Sequence, residues 1–338
     1  MSTTIALRES SGAKSASDEL RLTSAQAPTV NPLAVFDFFK DHEAFYWADP
    51  SGDTVVAVGA VERVLAEGEN RFASIETQIE KVWSRVEIDS HPGSISPKMY
   101  GGFSFDETCS GDTVWDGYPG GLLVLPRMVY RRQGGDATLE VITGGVESEP
   151  EPDISNVELV LEKLDRLALS SNAGTQVAEV VNGPSEADWT RIVSDILGGI
   201  EQGRFEKVVA ASRMNVQMRS PISVSAVLAR LRDTYSDCCR FAMRMPKSDD
   251  SQPRRFSTFL GATPERLIAK KGAEVRTEAL AGSIPASSIR GNGMGNLEIA
   301  EQLLSSQKDQ LEHDYVVKQI CQTLRSRCGS VEHHAQPR

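Results

Sequence analysis

Apolar and polar positions change their period several times along this 338-residue chain, and each change marks an element. Between Phe45 and Phe72 short apolar runs alternate with turn residues, so residues 54–61 after Ser51-Gly52-Asp53 read as a strand after a turn. Residues 103–105, 121–124, 128–131 and 138–142 keep that rhythm, with Gly134-Gly135-Asp136 as a hairpin turn. The first half is therefore predicted to be β-rich. Residues 1–30, rich in Ser, Ala and Thr, follow neither a two-residue nor a 3.6-residue period. They are predicted to be a disordered tail, with ordered structure beginning near Pro32. Residues 144–153, acidic and with two prolines, are predicted to form a loop or linker.

A helix is expected over residues 156–170 and a strand over 174–182. The strongest local signal follows: Ser185 as N-cap with Asp188 three residues on, the arrangement that satisfies orphan backbone N–H groups. Trp189, Ile192, Val193, Ile196, Leu197 and Ile200 then fall on one helical face, predicted to be buried, and Gly203 is the stop. The run EKVVAASRMNVQ at 206–217 changes to period two and predicts a strand, with Lys207, Val209, Ala211 and Arg213 on one face. A helix over 224–231 follows, then strands at 240–243, 257–261, 266–270 and 274–279. The last two join at Lys271-Gly272, and a long helical region spans 296–325.

Composition narrows the class. With 40% apolar and 25% charged residues the chain is that of a folded globular protein. Its 36 basic against 47 acidic residues leave −11, a charge that repels nucleic-acid backbones and anionic lipid surfaces. An anionic small substrate then requires a cation in its pocket. There is neither an apolar stretch of signal-peptide type nor a span of about 20 apolar residues, so a cytoplasmic protein is expected. The five cysteines lack metal or redox spacing and are assigned no chemistry. No P-loop, GxSxG or HExxH is present.

Three places carry candidate chemistry. Lys207 heads an otherwise apolar strand, where burial disfavours the ammonium and favours a general base; on its own it also reads as an edge lysine reaching for water. Glu265, after Pro264 in GATPERL, sits between strand-like segments where a carboxylate can be held facing a cleft, Arg266 being its ordinary surface partner. Glu312 lies in KDQLEHDYVV one turn beyond Asp309, so two carboxylates share a helix face and suit one hard cation. An acidic solvated face is the plain alternative. His313 is a poor Mg²⁺ ligand and is expected to point elsewhere.

Six blocks, GGFSFD (101–106), GLLVLPR (121–127), EKVVAASR (206–213), FLGATPERL (259–267), RTEALAGS (276–283) and KDQLEHDYVV (308–317), occur in the order seen in one family. The chain resembles the chorismate-utilising enzymes, and within them the isochorismate synthases. The resemblance implies an α/β (α+β) fold of two stacked antiparallel sheets flanked by helices, occupying residues 31–338 as one chorismate-binding domain. It implies a Mg²⁺-dependent isomerase that converts chorismate to isochorismate for menaquinone or siderophore synthesis. Lys207 matches the base that activates water for C2, and Glu265 the acid that protonates the C4 hydroxyl. Glu312 matches a metal ligand, and Ala281, Gly282 and Ser283 match the segment lining the substrate pocket. A lysine at 207, where ammonia-using relatives usually carry Gln, favours water as nucleophile. Salicylate synthases share this lysine and stay open as an alternative. So does a catalytically inactive fragment, because family members continue past the position matching Arg338 with further metal and substrate ligands. The C-terminal part of the fold is thus expected to be missing. The expected partner is chorismate alone, in a monomer.

Overall fold

In the strand Thr54–Val58, Val56 and Val58 join one apolar core and Ala57 another, which is why the run has no polar interruption. That two-sided burial organises the molecule. The computed structural model describes residues 19–88, 96–107, 113–144, 157–167, 178–248, 254–284 and 296–334. These group into two compact units, Ser10–Ala262 and Thr263–Arg338.

In the first unit the order is β1 (Leu20–Gln26), α1 (Pro32–Phe38), β2 (Ala44–Ala48), β3 (Thr54–Val58), β4 (Glu62–Ala66), α2 (Arg71–Trp83), β5 (Val86–Ile88) and β6 (Tyr100–Phe103). It continues with β7 (Gly121–Leu125), β8 (Met128–Gln133), β9 (Asp136–Gly144), α3 (Val157–Leu167), β10 (Ala178–Asn182), α4 (Glu186–Glu201), β11 (Asn215–Met218), α5 (Val224–Thr234), β12 (Cys239–Pro246) and β13 (Phe256–Thr263). Eight strands form one sheet in the order β13-β12-β2-β3-β8-β9-β1-β5, and β4-β7-β6 form a second. One face of the large sheet packs on α1, α3 and α5 through Phe36, Tyr130, Val160, Leu164 and Leu228. The other face meets the small sheet, Phe45, Ala57 and Val129 packing against Leu122 and Val124. The stacked sheets with flanking helices are those expected.

Between the stacked sheets, among the described residues, lies a charged pair. Arg131 and Glu140, 8% and 3% exposed, meet at 3.2 Å, and the Arg131 guanidinium reaches the Tyr100 hydroxyl at 3.4 Å. Burial outweighs the arginine and raises the Glu140 carboxyl above its ordinary pKa; it raises the Tyr100 hydroxyl likewise.

Three expectations change. Residues 20–26 are not part of a tail: β1 pairs with β9 along its length and with β5 in parallel, burying Leu20 and Leu22. Tyr130 holds the next stretch, accepting from Val30 N–H at 2.9 Å and donating to Pro28 O at 3.0 Å. Only two of the seven residues in LRLTSAQ are bulky and apolar, too few to show a period.

The capping box of α4 forms, Ser185 Oγ accepting from Asp188 N–H at 3.1 Å, but its apolar face is not covered among the described residues. Leu197 is 54% exposed, Trp189, Ile192 and Ile200 are also open, and only Gly199 is buried. Lastly, residues 207–214 are not a strand; only Asn215–Met218 pairs, with β10. Alternation sets which side chains share a face, whereas a strand also needs a neighbour for its ladder. The predicted linker falls on residues 145–153, outside those described.

The second unit holds β14 (Ala269–Lys271) and β15 (Glu274–Arg276), a hairpin turning at Gly272 with φ +59°, then α6 (Asn296–Ser305) and α7 (Gln307–Arg325). The long predicted helix breaks at Ser306, whose side chain caps α7 by accepting from Asp309 N–H at 3.3 Å.

Candidate active site

Lys207 belongs to the first unit and is placed by the end of α4. Gly203 takes φ +67°, its N–H donates to Ile200 O at 2.9 Å, and Arg204 N–H donates to Gly199 O at 3.0 Å. This pair of bonds reverses the chain in a glycine-dependent stop. The Phe205 ring then lies where a side chain on Gly199 would be, its Cζ 2.4 Å from an ideal Cβ position. Two residues later Lys207 emerges half-buried, outside any helix or strand.

The other candidates belong to the second unit. Glu265 follows β13 through Thr263-Pro264, and Thr263 Oγ1 accepts its N–H at 3.2 Å. Arg266, the surface partner expected for Glu265, pairs instead with Glu278 at 3.4 Å. Thr277 Oγ1 donates to Leu267 O at 2.8 Å, so the strap after Glu265 is tied to the strand that leads to Ala281. Gly282 has φ +88°, and an ideal Cβ there would stand 3.0 Å from Asp309 Cβ, so the absence of a side chain lets this segment lie against α7.

A cavity of about 550 Å³ results, within the range of small-molecule sites. Glu265, Ala281, Gly282 and Ser283 line it together with Asp309, Gln310 and His313 of α7, and Leu280, Leu303 and Leu304 give it apolar walls. The structure thus brings four of the six sequence candidates together. Glu312 is half-buried but does not line the cavity: Asp309, one turn earlier, is the α7 carboxylate that does. His313, expected to point elsewhere, also lines it. Residues at i and i+4 share a helix face, so Asp309 and His313 come together, a spacing that could have been read from the sequence.

Carboxylate oxygens are the donors that a hard divalent cation takes. Among the described residues no group of three or more His, Cys, Asp or Glu could hold a metal. Mg²⁺ does not require one, since it commonly keeps several waters and takes one or two carboxylates. Asp309, the α7 carboxylate that lines the cavity, fits that modest requirement. Among the described residues no helix is long and apolar enough to cross a membrane.

Gly282→Ala is expected to destabilise the chain by about 1–2 kcal/mol, because alanine is strained at positive φ and its methyl meets Asp309. Chemical denaturation checks this, and an unchanged midpoint would remove the close approach from the account.

Residues 6–338 match the family described as chorismate binding enzyme. The chain is 27% identical over 330 residues to the isochorismate synthase MenF of Bacillus subtilis, covering 91% of this chain and 65% of that protein. It is 28% identical over 306 residues to the salicylate biosynthesis isochorismate synthase of Pseudomonas aeruginosa, covering 88% and 60%. Among solved structures it is similar to MenF, the menaquinone-specific isochorismate synthase from Escherichia coli, with TM-score 0.64, 23% identity and coverage of 92% and 65%. It is similar also to the putative 2,3-dihydroxybenzoate-specific isochorismate synthase DhbC from Bacillus anthracis, with TM-score 0.62, 21% identity and coverage of 91% and 66%. The chain spans less than two thirds of the length of these proteins. The structural likeness establishes the fold they share. Matched over nearly its whole length by one family, and folded like these structures, the chain belongs to the chorismate binding enzymes.

Proposed function

We propose that this chain carries the chorismate-binding site of an isochorismate synthase. The observation that carries the reading is the cavity in which Glu265, the segment Ala281, Gly282 and Ser283, and an α7 carboxylate converge. The names of its relatives, isochorismate synthases for menaquinone and for salicylate biosynthesis, support the same reaction.

In this reading Lys207 takes a proton from the water whose oxygen bonds to C2 of the ring. Ring electrons shift, the C4–O bond breaks, and Glu265 gives its proton to the departing hydroxyl, which leaves as water. One water enters and one leaves, so substrate and product are isomers. The base and the acid act on different ring positions, which lets both proton transfers accompany one electron shift. Mg²⁺, held from α7 by Asp309, would supply the positive charge that the ring carboxylate needs in an acidic protein.

The test incubates the purified chain with chorismate and Mg²⁺ and identifies the products by chromatography and mass spectrometry. Isochorismate without pyruvate is expected. Pyruvate release would reassign the chain to salicylate synthesis, and no turnover by the folded chain would overturn the proposal for this polypeptide.

A further inference from the structure

The last paired rung of the β14–β15 hairpin is Ala269 with Arg276, and beyond it both legs run on outside any strand. One leg leads back through Ile268, Leu267 and Arg266 to Glu265. The other leads forward through Thr277 and Glu278 to Ala279. Both legs end in the lining of the cavity, the first with Pro264 and Glu265, the second with Ala279 to Ser283. All of these residues, and α7 with them, belong to the unit Thr263–Arg338.

Two side-chain links cross between the legs beyond the last rung. Thr277 Oγ1 lies 2.8 Å from the Leu267 carbonyl and 3.4 Å from the Arg266 carbonyl, so its one proton goes to Leu267. Arg266 and Glu278 pair at 3.4 Å, but their side chains are 53% and 51% exposed, and an exposed pair holds little. The hydroxyl is therefore the link that sets how far apart the legs enter the lining. Neither Thr277 nor Leu267 is among the lining residues, so the hydroxyl acts through the backbone and not on a bound molecule.

The two legs are not held alike. The second is seated on α7, where an ideal Cβ on Gly282 would stand 3.0 Å from Asp309 Cβ. The first has the bond from Glu265 N–H to Thr263 Oγ1 at 3.2 Å, a local turn that moves with the leg itself. What the second leg takes from α7, the threonine passes to the glutamate.

We infer that Thr277 is a positioning residue for Glu265, its hydroxyl tying the leg that carries the glutamate to the leg that Gly282 seats on α7. The inference rests on the proposed role of Glu265 as the acid.

The test compares the full chain with Thr277→Val, which keeps the branched shape and removes the hydroxyl, and with Thr277→Ser, which keeps the hydroxyl. In Thr277→Val the kcat for chorismate is expected to fall about tenfold with KM within about twofold, because the acid is displaced while the lining seated on α7 stays. Thr277→Ser is expected to keep kcat within about twofold of wild type. Trypsin under native conditions should cut after Arg266 about three- to tenfold faster in Thr277→Val, the scale of one hydrogen bond, with the fragments identified by mass spectrometry. Unchanged cleavage at Arg266 overturns the tie. Faster cleavage with unaltered kcat overturns the positioning role, and so does a loss in Thr277→Ser as large as that in Thr277→Val, which would make the methyl group the cause. A wild-type chain without turnover overturns the reading of Glu265 and the positioning role with it, while cleavage still decides the tie. If Thr277→Val does not fold, Thr277→Ala removes the same bond and is read in the same way.

Discussion

Lys207→Ala is expected to lower the turnover of chorismate by about 10²–10⁴-fold, the usual contribution of a positioned general base, and to leave the fold intact. The two halves of that expectation have separate grounds. The chemical half follows from the reaction proposed: water is a poor nucleophile until a proton is taken from it, and alanine cannot take one. The structural half follows from where Lys207 sits. It lies outside any helix or ladder, past a chain reversal already secured by Gly203 and by the Phe205 ring on Gly199. The melting temperature should therefore stay within a degree or two of wild type, in keeping with a surface substitution. Steady-state kinetics beside a thermal melt checks both. Near-normal turnover would show that another group, or solvent, removes the proton.

Glu140→Leu should have the largest effect on stability. It leaves the Arg131 guanidinium buried between two sheets without its carboxylate, a loss of about 3–5 kcal/mol and a melting temperature lower by roughly 10 °C. Replacing Arg131 and Glu140 together by leucine should recover most of this loss, because no charge is then stranded. A double mutant as unstable as the single one would mean that shape, not charge, makes the site sensitive. The pair also sets a pH dependence. Burial raises the folded-state pKa of Glu140, so the folded chain keeps this proton to a higher pH than the unfolded chain. The stability it contributes is full below the ordinary glutamate pKa and is lost as pH rises through the raised value. Glu140→Gln, which retains an acceptor for Arg131, should flatten that limb of the stability curve.

Features decided within a few residues were legible in the sequence. The α4 capping box needs only Ser185 and Asp188, and the β14–β15 turn needs only Gly272. Features decided by a distant partner were not. β1 exists because β9 and β5 accept it, and the apolar stripe of α4 finds no cover among the described residues although its spacing is that of a core helix. The site divides in the same way. Glu265, Ala281, Gly282 and Ser283 were placed by motif and do line the cavity, whereas the choice between Glu312 and Asp309 depends on the rotation of α7. That rotation follows from Ser306 starting the helix and from Gly282 lying against Asp309, and neither is visible in the motif itself.

The order of strands in the large sheet also governs how the chain emerges from a ribosome. β2 gains β3 at once, but its other edge must wait for β12, which begins roughly 190 residues further on, about 10–40 s at ~5–20 residues per second. During that interval AFYWA presents open backbone groups beside aromatic side chains. A nascent chain shielded over this stretch should give a higher folded yield than one left bare, and slowing translation before residue 239 should lower the yield further.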